Sequence, residues 1–549
     1  MASSHVHPTE TSPLLGDVPP SASTATSSPD DNDEISVVAS EIPPARLYLI
    51  LGATYLGIFL GAIDTTVIAT LSAPISSEFK SMQLFSWIAT AYLISNAACQ
   101  PLSGRLTDIF GRGPGLVFSN LCFALGNLMC GLAHSEGTMI AGRVVAGIGG
   151  GGIMSIGTFL ASDLVPLRQR GVIQGIGNIC YSAGAMLGGL FGGWVNDHTA
   201  NGWRLAFLLL VPPTLISAGL VVVLVRVPPK ASASGRGYLR RIDFSGAALT
   251  VLFLVLLLFG LNAGGNLVPW THPLPLISLS LSAVAFAGFV WWEGTRAQQP
   301  IVPVRLLVDR TVGFACLTNF CVTMVMLAVL FYIPLYLQVL GRSATDSGVV
   351  LLFAPIGVSV CSLGSGYLMK RTGRYLTLGI AMVAMFQLGA MITLSFGQTT
   401  ALGWVRAACF FMGGGYGAML TVTLLACISA VDHGQQAVIT AATYLFRSLG
   451  STLGITIASS VFQNILSNRL WDAFGDKPDA AVIIGRILKS IESMRDLPTE
   501  WQGLAVEAYM AAFRGVWFSM FGIGAAGLVC VCLMKEHHLH ETLDRREGR

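Results

Sequence analysis

Charge is what this chain has least of. Asp, Glu, Lys and Arg make up 11% of its 549 residues, against roughly 25% in a soluble domain. So little charge cannot coat a soluble fold of this size, and a soluble protein is excluded. The net charge of +3 is too small for a nucleic-acid partner, and the lysines and arginines stand beside apolar runs instead of forming one basic patch. No Gly-Lys dipeptide occurs, which removes the phosphate loop of a nucleotide-hydrolysing pump. No Cys-x-x-Cys pair occurs either, and the nine histidines fall in loops, tails or span ends, so no metal-ligand cluster is expected. No nucleophile, base and orienting group form a plausible constellation, and the chain is read as a non-enzyme with no cofactor. All eleven cysteines lie inside apolar runs, where cysteine acts as a small hydrophobe, and no disulfide framework is expected.

Apolar residues are in excess, at 53%. They gather into fourteen runs, near 47–70, 85–106, 114–134, 137–162, 171–195, 204–226, 243–263, 273–294, 311–340, 347–369, 375–396, 402–430, 436–466 and 513–534. Each is about long enough to cross a hydrocarbon core of roughly 30 Å as a helix. The predicted fold class is therefore an all-α membrane protein with fourteen transmembrane helices in a lipid bilayer. Residues 1–45 are rich in Ser, Thr, Pro and Asp and too poor in apolar side chains to fold. They read as a disordered tail, without the charged start and apolar core of a signal peptide. Lys and Arg crowd the loops on the tail's side (Arg105, Arg112, Arg168, Arg170, Arg226, Arg240, Arg241, Arg296), whereas the opposite short loops hold little beyond Lys80 and Arg204. That bias puts both termini in the cytosol. The 467–510 segment runs against it, but long loops report topology poorly.

One loop occurs twice. Gly104-Arg105-Leu106-Thr107-Asp108-Ile109-Phe110-Gly111-Arg112 returns as Gly366-Tyr367-Leu368-Met369-Lys370-Arg371-Thr372-Gly373-Arg374, 366 − 104 = 262 positions on. The chain thus reads as duplicated, its spans dividing as six, two and six. The expected boundaries are a tail at 1–45, a six-helix bundle at 46–230, two linker helices at 231–305, a second bundle at 306–536 and a cytosolic tail at 537–549. A repeated loop of glycines, an acid and a base between spans resembles that of the major facilitator superfamily, and the span count resembles its drug:proton antiporter branch. The resemblance implies the major facilitator fold and a latch at the cytosolic face, made by Gly104, Asp108, Gly111 and Arg112 and again by Gly366, Arg371, Gly373 and Arg374. Ile109 stands where the family has a basic residue and Lys370 where it has an acid, departures that weaken the second latch.

Asp64, in Ile63-Asp64-Thr65-Thr66-Val67, is the one acid deep inside a predicted span. An ionisable group there is costly unless paired or hydrated, so it is a functional candidate by default. The other reading is a helix-end acid near the far surface. Arg143, in Gly142-Arg143-Val144-Val145-Ala146-Gly147, starts the fourth span at the depth where Asp64 ends the first, so the two are placed to pair. The alternative is an arginine snorkelling to the interface. The resemblance assigns both to proton coupling. In the fifth span Gly184, Gly188 and Gly192 fall four apart on one face, flanked by Gly175 and Gly193, and bare faces let helices pack closely. With Gly147 these match the superfamily's antiporter motif, except that Gly189 stands where the motif has proline. Asp64, Asn178 and Arg447 are expected to line the substrate cavity. Trp203-Arg204 is expected to anchor a membrane interface.

Three further stretches resemble fungal vacuolar basic amino acid transporters: Ser86-Trp87-Ile88-Ala89-Thr90-Ala91-Tyr92-Leu93-Ile94, Gly147-Ile148-Gly149-Gly150-Gly151-Gly152, and Ser162-Asp163-Leu164-Val165-Pro166-Leu167-Arg168-Gln169-Arg170-Gly171. In the tail, Glu10 with Leu14 and Leu15 resembles an acidic dileucine signal read by a sorting adaptor on vacuolar routes. Together these imply exchange of protons for lysine, arginine or histidine at the vacuolar membrane. Two alternatives stay open: a plasma-membrane exporter of drugs or fungal metabolites, and a non-transporting nutrient sensor on the same fold. An intramembrane acid suits a cationic cargo, whereas Arg447 would repel it.

Overall fold

A computed structural model of the chain describes residues 43–79, 82–199, 202–225, 243–264, 268, 270–296, 304–342, 344–431, 435–475, 480–489 and 498–537. The predicted sorting signal at Glu10, Leu14 and Leu15 lies outside them, as do most of both tails. Residues 42–549 form one compact unit. With no water in a bilayer to satisfy peptide groups, a spanning segment must close its own hydrogen bonds, and the described residues accordingly fold into helices without a strand. They run in order as α1 (Pro44–Glu78), α2 (Met82–Phe110), α3 (Arg112–Gly131), α4 (Glu136–Leu164), α5 (Leu167–His198) and α6 (Trp203–Leu224). Then come α7 (Phe244–Ala263) and α8 (Pro273–Thr295), a short α9 (Val304–Leu307), α10 (Arg310–Val339), α11 (Ala344–Leu351), α12 (Phe353–Thr372) and α13 (Leu376–Leu394). The last are α14 (Leu402–Ser429), α15 (Gln436–Phe474), α16 (Ala480–Lys489) and α17 (Thr499–Cys532).

Eleven helices among the described residues are long and apolar enough to cross a membrane, α11 and α12 counting as one interrupted span, Asp346–Thr372. The other three expected spans are α2, α5 and α7. The first two are more polar, with Asn96, Gln100, Ser103, Gln174 and Asn178 along them, and α7 has a shorter apolar stretch, Ser245–Leu261. Helix starts follow their caps: Ser135 accepts from the Thr138 amide at 3.3 Å to open α4, and Asp309 accepts from the Thr311 and Val312 amides to open α10. Asp243 caps α7 and also accepts from the Trp292 indole at 2.9 Å, which ties α7 to α8.

Packing makes the duplication explicit. α1 packs on α5 and α6, α4 on α2 and α3, and α3 on α6. The second set repeats the scheme: α10 on α15 and α17, α14 on α12 and α13, and α13 on α17. The two sets meet through α5 against α12 and α2 against α15, contacts that exchange under the same correspondence. Helices α4 and α14 are the most buried, while α3, α6 and α8 turn Leu121, Leu125, Ile216, Val223 and Val284 outward toward lipid. The inserted pair packs on itself and leans through α7 on α2 and α15.

Candidate functional site

Asp64 and Arg143 pair inside the first set of helices. The Arg143 Nη1 donates to both Asp64 oxygens at 2.9 Å, its Nε donates to the Ile88 carbonyl at 3.3 Å, and its plane lies 4.4 Å from the Tyr92 ring. Asp64 is 0% exposed and Arg143 1%, so the aspartate faces neither lipid nor bulk water. Glycines bring α5 close on α1 and α4 close on α2. An added Cβ at Gly188 would run into Thr66 and Ile63 of α1, and one at Gly147 into Ser95 and Tyr92 of α2. Gly184 meets Phe59 of α1 in the same way, whereas Gly193 has nothing within 4 Å; Gly192 is buried on the same helix.

At the tail-side ends the first loop builds a compact ion network. Arg112 is 3% exposed and donates from Nε to Asp163 at 2.9 Å, from Nη2 to Asp108 at 2.6 Å and from Nη1 to the Thr107 hydroxyl at 2.5 Å. The chain enters α3 through Gly111 at φ 94°, a backbone shape that favours glycine. The second loop repeats the backbone turn. Gly373 closes α12 at φ 68°, yet Arg371 and Arg374 are exposed, Arg371 lying 5.2 Å from the Tyr367 ring. Gly366 instead packs on the Gly171 backbone of α5, and Gly104 on Ala437 of α15.

Polar groups cross between the two sets of helices nearby. Asn178 donates to the Ser362 hydroxyl at 2.7 Å, Ser362 shares a hydrogen with Thr421 at 2.7 Å, and Arg170 donates to Gln436 at 2.9 Å. Gly175 packs on Leu363 in this seam. Deeper in, Gln174, Asn319, Leu420, Thr423, Leu424, Thr443, Tyr444 and Arg447 surround a cavity of about 10 Å³, about the room one water needs. Asp64, Asn178 and Arg447, expected to share one cavity, are parted: only Arg447 lines it, Asn178 belongs to the adjoining seam, and Asp64 is closed off among α1, α2 and α4.

Several partners escaped the sequence reading. Asp163 closes the Arg112 network, and the signal for it was present: an acid ending the fourth span on the same side as the Arg112 loop. Gln436, Ser362 and Thr421 gave no signal, since neutral side chains in long spans are common. Trp203, expected to anchor a membrane interface, is the first residue of α6. It is buried and donates to Glu78 at 2.6 Å, while Arg204 donates to the same carboxylate at 2.7 Å and to the Ala133 carbonyl at 3.0 Å. Partial burial raises the Glu78 carboxyl, but the hydrogen bonds from Arg204 and Trp203 outweigh it and hold the group below its ordinary value.

Comparison with known proteins agrees with this architecture. The human organic anion transporter MFSD10 superposes with a TM-score of 0.56 at 16% identity, covering 89% of this chain and 100% of its own, a likeness of fold. In sequence the chain is 38% identical to the multidrug resistance protein fnx1 of Schizosaccharomyces pombe, over 91% of this chain and 94% of that one. It is 32% identical to the vacuolar membrane amino acid uptake transporter fnx2 of the same yeast, over 94% and 89%. A family model matches residues 54–455, and the chain is a multi-pass membrane protein that belongs to the Major Facilitator Superfamily.

Proposed function

We propose that this transporter is a proton-coupled antiporter that carries basic amino acids (lysine, arginine, histidine) from the cytosol into the vacuole, with both termini cytosolic. The observation that carries the reading is the Asp64–Arg143 pair, sealed at 0% and 1% exposure. While Asp64 is ionised the two charges cancel. A proton on Asp64 leaves Arg143 an uncompensated buried cation, an arrangement that costs about 3–5 kcal/mol. Moving α1 against α4 so that Arg143 reaches water or another acceptor relieves that cost, and proton binding thereby becomes motion. Tyr181, which packs on the cluster containing Tyr92 and lies 181 − 178 = 3 residues, about one helical turn, from Asn178 on α5, offers a path from this pair to the seam between the bundles. The Arg112 network is then the latch that closes one state.

The cargo is supported by the relative named as a vacuolar amino acid uptake transporter. In vesicles acidified inside, labelled lysine should accumulate, each pH unit supplying about 1.4 kcal/mol per proton, a tenfold concentration ratio. Asp64→Asn should abolish the accumulation while the protein stays folded in the membrane. Undiminished accumulation by that variant removes Asp64 from the mechanism. A second reading, drug export at the plasma membrane, draws on the 38% identical relative named for multidrug resistance. Replacing Leu14 and Leu15 together by alanine separates the two: relocation from the vacuole supports the first, and a wild-type protein found at the cell surface supports the second.

A further inference from the structure

Arg447 is a cation within a span that the coupling scheme leaves unused. It lies 447 − 436 = 11 residues into α15, or about 16 Å along the axis, which is near the middle of a hydrocarbon core of roughly 30 Å. Arg447 is half-buried. Two fully buried arginines of the first bundle have acids: Arg112 has Asp163 and Asp108, and Arg143 has Asp64; a third, Arg170, is held by the Val165 carbonyl and Gln436. No carboxylate among the described residues lies within 4.0 Å of Arg447. Its close neighbour is the Tyr444 ring, at 4.1 Å. An arginine at this depth with no anion beside it is costly, and the fold does not remove the cost with an acid of its own.

The surroundings show what would. Gln174 comes from α5, Asn319 from α10, Thr423 from α14 and Thr443 from α15, so both bundles contribute uncharged hydrogen-bonding groups to the same small cavity as the guanidinium. Asn319 is fixed there by donating to the Thr423 hydroxyl at 2.7 Å, and Tyr444 by sharing a hydrogen with Thr158 at 2.7 Å. A guanidinium presents parallel donors that match the two oxygens of a carboxylate. We propose that Arg447 receives the α-carboxylate of the cargo, with the amides and hydroxyls around it completing the hydrogen bonds. This inference rests on the amino-acid reading above and specifies it: the α-carboxylate faces Arg447, and the cationic side chain points away from it. It also resolves the charge conflict noted from sequence, because a zwitterionic head neutralises the cation that a bare amine would meet with repulsion. A diamine lacking the carboxylate is rejected.

Counterflow of labelled lysine in proteoliposomes, with unlabelled lysine, lysine methyl ester or cadaverine as competitor, tests it. Cadaverine is lysine without its carboxylate, and the ester masks the charge. The wild type should prefer lysine to both by about 10- to 100-fold, the range for a hydrogen-bonded charged group. Arg447→Gln should raise the KM for lysine by a similar factor and flatten the preference for lysine over cadaverine toward unity, while Arg447→Lys, which keeps the charge, retains part of it. Equal competition by cadaverine in the wild type overturns the inference and leaves amino-acid transport standing, as does an Arg447→Gln protein that still discriminates. Absence of any lysine counterflow in the wild type sinks both.

Discussion

Arg143 holds both oxygens of Asp64 with no water-exposed surface on the acid and 1% on the base, so each residue's cost is set by the other. Removing one partner leaves a buried charge without compensation, which costs about 3–5 kcal/mol, whereas neutralising both together is far milder. Arg143→Gln should therefore lower the melting temperature of the detergent-purified protein markedly, and the double variant Asp64→Asn with Arg143→Gln should recover most of the loss without recovering proton-driven transport. A double variant no more stable than Arg143→Gln alone argues that the two side chains do not share their energy in this way. The pair was legible because an ionisable residue in a run of apolar ones has few reasons to be there, and the depth of the two positions matched. Its separation from Arg447 was not legible, since span depth fixes the height of a residue in the bilayer but not which helices stand between two residues.

Helix α5 meets the two bundles on different faces and at different heights. Near the tail side Gly171 and Gly175 press on Gly366 and Leu363 of α12, and farther along Gly184 and Gly188 press on Phe59 and Ile63 of α1. The four-residue spacing in the sequence marked the bare face; it did not name the neighbour, because any helix fits a groove of glycines. Gly188 and Gly193 are equivalent by composition and differ in surroundings. Gly188→Ala places a methyl group against the Ile63 backbone beside Asp64 and should cut transport at least tenfold with the protein still in the membrane, while Gly193→Ala, with nothing within 4 Å, should transport as the wild type does. Equal effects would detach the motif from α1–α5 packing. Element ends were the least legible feature. The last span was expected at 513–534, yet α17 begins at Thr499, because Glu500, Glu507 and Arg514 interrupt the apolar pattern without interrupting the helix. The break at Leu352 between α11 and α12 had a signal that the apolar pattern hid: Pro355, in the first turn of α12, has no amide to give the Leu351 carbonyl four residues back.

Across the whole molecule, the contacts between bundles gather toward one side. Arg170 with Gln436, Gly171 with Gly366 and Gly104 with Ala437 lie toward the tail-side ends of α2, α5, α12 and α15, and Asn178 with Ser362 stands farther in, about halfway along α12. Transport by rocking requires these contacts to part on every cycle while the packing within each bundle survives. A covalent link across them should therefore stop transport, and one within a bundle should not. In a background freed of the native cysteines, Arg170→Cys with Gln436→Cys should be cross-linked by a disulfide-bridged bismaleimide long enough to span the two long side chains they replace, and uptake should fall to background and return with a reductant. A control pair on α2 and α4, Ser103→Cys with Ser155→Cys, replaces hydroxyls that already touch at 2.6 Å inside one bundle and should leave uptake after oxidation close to that before it. If the 170–436 link forms completely and cargo still crosses at the uncrosslinked rate, the bundles do not part on this side, and the latch around Arg112 has no state to release.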